Sequence, residues 1–163
     1  MKKILLLIIS ALFAIQANAQ VQEESPAITI DSLSTKLAEL QHSYDFLYCD
    51  YNLYQIKTGL EQLSQDIKIT SNEVIIKIFF GQYNHDMYIA YSENYDANCK
   101  SYDAIKRAFE AVQKLVTIKI ITTGFTESEL NVFNAHIEVI KSGMKIVEAG
   151  LKYYDKLLKI YKD

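Results

Sequence analysis

Cys49 and Cys99 are the only cysteines in the chain, and they pose the first chemical question. In an oxidising compartment two thiols tend to pair. A disulfide needs Cα atoms about 5.5 Å apart, so bridging depends on the register of the elements that carry the pair. No Cys-x-x-Cys occurs, which argues against a redox-active dithiol. The tyrosines are the second candidate. Tyr44, Tyr48, Tyr51 and Tyr54 fall in one stretch and Tyr88, Tyr91, Tyr95 and Tyr102 in another, interleaved with Asp45, Asp50, Asn52, Asp86, Asn94, Asp96 and Asn98. Brought face to face, the two groups would line an aromatic and polar groove for a sugar, peptide or other small ligand. The competing reading is a core built from tyrosines whose hydroxyls reach water.

Other chemistry is thinly represented. His42, His85 and His136 are scattered, and Glu39-x-x-His42 is one copy of a spacing that di-iron bundles need twice, so no metal site is expected. There is no Gly-x-Ser-x-Gly, no phosphate loop and no dinucleotide fingerprint. The sequence therefore implies no catalytic residues and no cofactor, and an enzyme is not expected. Asp31-Ser32-Leu33 reads first as a helix N-cap, and it also looks like an Asp-Ser/Thr-aliphatic O-glycosylation acceptor.

The N-terminus predicts export. Lys2 and Lys3 precede an apolar run from Ile4 to Ile15, and Ala17-Asn18-Ala19 supplies a small-x-small cleavage signal. Residues 1–19 read as a signal peptide cut after Ala19, which places the protein in the periplasm or outside the cell, with no stable membrane insertion afterwards. The chain has 17 basic and 20 acidic residues. Losing Lys2 and Lys3 leaves 15 against 20, a net charge of about −5. An acidic chain without a basic run is no partner for nucleic acid.

Residues 20–30, which hold the single proline, read as a flexible leader, and 31–163 as one helical bundle domain. Three stretches carry helical periodicity. Leu33, Leu37, Leu40, Tyr44, Leu47, Tyr51 and Tyr54 step by four and three, after which the stripe moves round to Ile56, Leu60, Leu63 and Ile67. The middle stretch, Ser71 to Thr123, repeats Tyr88, Tyr91, Tyr95, Asn98, Tyr102, Ile105, Phe109, Val112 and Val116. The third begins at a Thr126/Glu129 capping box, after Gly124, and steps from Leu130 to Tyr161 without a miss. The fold predicted is all-α: an antiparallel bundle of three long helices of coiled-coil type. Thr70-Ser71-Asn72-Glu73 is the expected first turn. That turn leaves the middle helix roughly 20 Å longer than its neighbours, so a break near Gly81–Asp86, giving four helices, is the natural correction. The alternative is α+β, with a short hairpin at 67–80.

With the first turn near residue 70, Cys99 falls level with about residue 41, or about residue 54 when counted through the third helix. Cys49 lies between, so a Cys49–Cys99 disulfide is expected. Ile75, Ile76, Phe79 and Phe80 sit in a nearly unbroken apolar run that two neighbouring helices cannot fully cover, which marks a contact patch. The functional expectation is an exported, soluble bundle acting by protein contact, with itself or with a cell-envelope partner. The alternative is a small-ligand binder using the tyrosine groove.

Overall fold

The computed structural model describes residues 30–160, and the signal-peptide expectation and nearly all of the leader lie outside them. Among the described residues the architecture is all-α, with three helices: α1 (Ile30–Phe79), α2 (His85–Thr123) and α3 (Glu127–Ile160). Among the described residues there is no strand, so the hairpin at 67–80 does not form. By residue contacts the chain divides into two units, Met1–Gln41 and His42–Asp163. In the first unit the described turns of α1 expose Leu33, Leu37 and Leu40.

The first turn is not at Thr70–Glu73. Helix α1 runs through that polar stretch because Thr70 satisfies itself within the helix, its hydroxyl donating to the Asp66 carbonyl at 2.9 Å. The stop comes at Gly81, which takes the left-handed conformation at φ 62°. Gly81 N–H donates to the Ile78 carbonyl at 3.0 Å and Gln82 N–H to the Lys77 carbonyl at 2.8 Å. This pairing is a Schellman motif, and glycine enters it without a Cβ penalty. Asn84 then caps α2, its side chain accepting from Met87 N–H at 3.0 Å. The Gly81–Asp86 stretch is thus the first turn itself and not a break within a middle helix. The surplus length belongs to α1, at 50 residues, against 39 for α2 and 34 for α3.

The second turn follows the sequence. Gly124 ends α2 at φ 71°. Thr126 N–H donates to Glu129 Oε2 at 2.8 Å and Glu129 N–H to the Thr126 hydroxyl at 3.3 Å, a reciprocal capping box. Phe125 between them is buried, with edge contacts to His42, Phe46 and Phe133.

Within the bundle unit α1 runs parallel to α3 and antiparallel to α2. Phe46 packs on Phe133, Leu60 lies against Gly143 and Ile67 against Gly150. A Cβ at Gly150 would sit 3.1 Å from Ile67, so glycine there permits the close approach of two helices. The core is Cys49, Leu53, Ile56, Leu60, Leu63 and Ile67 of α1 against Tyr102, Phe109 and Val116 of α2 and Phe133, Ile140, Val147 and Leu151 of α3. A second cluster joins Val74 to Tyr154, Leu157 and Leu158.

Helix α1 therefore carries two apolar stripes. The one through Cys49, Leu53 and Ile56 faces the core, whereas Leu47 and Tyr51 of the other are about 60 % exposed. Removing a buried leucine costs both transfer free energy and a cavity. In dilute protein Leu53→Ala should lower unfolding free energy by about 3 kcal/mol and Leu47→Ala by less than about 0.5 kcal/mol. Urea unfolding checks this, and equal losses would mean the stripes are assigned to the wrong faces.

Candidate functional site

Register decides what can meet. Facing α1–α2 pairs, such as Gly59 with Ile105 and Asp45 with Lys119, have residue numbers that add to 164. Cys99 therefore lies level with about residue 65, roughly 24 Å along the axis from Cys49. Both thiols are free, and the expected disulfide is absent. Cys49 is fully buried, and burial followed by the Asp45 charge raises its pKa. Cys99 instead pairs with Tyr95. That hydrogen bond, and then burial, pushes the Tyr95 hydroxyl up to about 12.

The same register separates the two tyrosine groups. Tyr54 and Tyr102 are roughly 12 Å apart along the axis and Tyr44 and Tyr88 nearly 50 Å. Tyr44, Tyr48, Tyr51 and Tyr54 are exposed, with Tyr44 and Tyr48 stacked at 6.0 Å. Tyr88, Tyr91, Tyr95 and Tyr102 pack toward α3 in and around the two core clusters. Tyr102 donates to Glu148 Oε1 at 2.6 Å, and burial, reinforced by that carboxylate, raises its pKa. Tyr154, which the sequence places in the α3 seam, donates to the Tyr91 carbonyl at 2.9 Å, and burial raises its pKa too. A tyrosine-lined groove between α1 and α2 does not form. A groove of about 550 Å³ lies instead between α1 and α3, lined by residues including Lys57, Leu60, Lys68, Val139 and Ile146, with no tyrosine.

Polar groups that periodicity passed over collect near the second turn. Asp45 is buried, with Lys119 Nζ 2.9 Å from Oδ1 and the Thr123 hydroxyl donating to Oδ2 at 2.9 Å. His42 Nε2 lies 2.9 Å from Glu129 Oε1, so the capping carboxylate also ties α3 to α1. Burial works against the Glu129 charge, but the Thr126 amide and hydroxyl and His42 hold its pKa below the usual range. His136 lies 3.7 Å from Asp50. These contacts form cross-braces between helices. The one sequence hint of them was an aspartate, Asp45, at core spacing from Cys49.

The apolar run from Val74 splits as its length demands. Val74 is buried and Ile78 packs against it, while Ile75, Ile76, Phe79 and Phe80 are exposed, Phe79 at 81 % and Phe80 at 66 %. The Phe79 and Phe80 rings meet edge to face at 5.3 Å, just before the Gly81 stop. Among the described residues no helix is long and apolar enough to cross a membrane, and no three His, Cys, Asp or Glu side chains gather as metal donors. Comparison with known proteins finds no matching family model, no matching curated protein and no matching solved structure.

Two measurements check this geometry. Removing Lys119 strands a buried carboxylate, so Lys119→Met should destabilise by about 3 kcal/mol. Adding Asp45→Asn should recover most of that loss, and a double variant no more stable than the single one would count against the brace. For the cysteines, denaturation without reductant should release two reactive thiols per chain, whereas the native protein should leave Cys49 unlabelled.

Proposed function

We propose that this is an exported helical-bundle protein that works by protein contact and performs no catalysis. The partner is a second copy or a cell-envelope protein, and the contact is the end of α1. One observation carries the reading: the exposed group Ile75, Ile76, Phe79 and Phe80. Exposed apolar residues scattered singly are ordinary. Here they are adjacent, hold roughly 400 Å² of exposed area, and fall in the size range at which a patch on a monomer is often functional.

The patch also has a firm base. Val74 is fully buried among Tyr154, Leu157 and Leu158, and the Schellman bonds fix the last turn. Phe79 and Phe80 therefore project from a packed helix end, and little ordering entropy is lost when a partner covers them. Export rests on the residue pattern of 1–19 and supplies the compartment in which such a partner would be met.

Phe79→Glu and Phe80→Glu, made singly, test the reading. Each should abolish capture of the envelope partner or end-to-end self-association while circular dichroism stays at the wild-type level. If neither variant alters what the wild-type protein recovers from its native envelope, or how it sediments, the contact reading fails.

A further inference from the structure

A second surface on α1 is argued independently of that end patch. Tyr44, Leu47, Tyr48, Tyr51 and Tyr54 lie on the side of α1 opposite its core stripe, and each is between 45 % and 63 % exposed. Along this part of its length α1 is therefore apolar on two opposite faces. A helix of that kind is packed on both faces, and among the described residues α2 and α3 cover only the core face. Below Tyr54 the outward face turns polar, with Thr58, Glu61 and Gln65, so the stripe has a defined end.

The spacing states what kind of partner fits. Tyr44, Leu47, Tyr51 and Tyr54 step by three, four and three, the seven-residue repeat of a helix paired with another helix. In sequence the repeat extends back through Leu40, Leu37 and Leu33, each of which is exposed. We propose that the outward stripe of α1 is the seat of a second copy of this chain, α1 against α1 in parallel register.

Area and charge support that occupant. The five side chains from Tyr44 to Tyr54 expose roughly 500 Å² per copy, so a symmetric pair covers about 1,000 Å², the size at which a specific interface becomes credible. In a parallel pair the flanking positions meet without like-charge contact. Ser43 would face Tyr48 of the second copy, and Asp50 would face Gln55 of the second copy. Leucine meets leucine at position 47 and tyrosine meets tyrosine at positions 44 and 51, so one stripe complements itself, as a two-fold interface requires.

Sedimentation of the purified protein tests the pairing. The wild type should be dimeric. Leu47→Glu and Tyr51→Glu should each weaken the dimer on the order of 30-fold or more by burying an unpaired charge at its centre. Both residues are exposed in the monomer, so helicity should be unchanged, and Leu47→Ser serves as a milder variant of the same kind. Leu47→Cys should cross-link between copies on oxidation, since parallel register brings position 47 to its own counterpart. Phe79→Glu should leave this dimer intact. A wild type that stays monomeric at the highest concentration reached overturns the proposal, as does a dimer indifferent to Leu47→Glu. A dimer lost only with Phe79→Glu would overturn it too, while leaving the end-patch reading standing.

Discussion

The left-handed conformation at Gly81 sets the register on which every contact in the bundle depends. In an antiparallel pair, moving the turn by one residue shifts the opposing helix by two. Moving the centre of pairing from about residue 70 to about residue 82 therefore slides α2 along α1 by about 24 positions, roughly 36 Å. Gly81 can hold the stop because its N–H and that of Gln82 bond back to Ile78 and Lys77, and a residue with a Cβ would be strained at φ 62°. The polar Thr70-Ser71-Asn72 stretch has no such device. Its threonine bonds backward into the helix, and without a glycine to enter the left-handed region the chain keeps winding.

This one displacement accounts for two of the sequence readings that failed. The Cys49–Cys99 bridge and the tyrosine groove were both inferred from pairing about residue 70, and both dissolve when the pairing centre moves past 80. Readings of α2, α3 and the second turn, which did not depend on register, held. The α3 stripe is buried at Phe133, Ile140, Val147, Leu151, Tyr154 and Leu158, and α2 buries Asn98, Tyr102, Phe109 and Val116 as its spacing required. The Thr126/Glu129 box and the Gly124 stop are local, and both formed as read. Exposure of Phe79 and Phe80 was also legible, because six apolar residues within seven helical positions, broken only by Lys77, cannot all be covered by two neighbours.

Periodicity alone could not choose between the two stripes of α1. The outward one is richer in leucine and tyrosine, so it reads as the core. The inward one is disguised by Asp45, which looks like a surface residue in a composition-based reading. Asp45 is tolerable inside because it is partnered, with Lys119 and Thr123 arriving from α2 to meet its two oxygens. Neither partner is identifiable until the register is known, since they lie more than seventy residues away in the chain.

The braces are unevenly placed, and this bears on how α1 serves two surfaces. His42–Glu129 and Asp45 with Lys119 and Thr123 fasten α1 near the second turn, beside the stretch whose outward face is apolar. Charge-assisted contacts are directional in a way that apolar packing is not. Where a helix is apolar on opposite faces, packing free energy alone scarcely distinguishes one face from the other, and the helix could rotate about its axis. A buried aspartate that must meet a lysine and a threonine removes that freedom, because turning the outward stripe inward would leave Asp45 exposed and its partners unmatched. The polar core residues thus determine which stripe of α1 is inside, and so which stripe is presented outward.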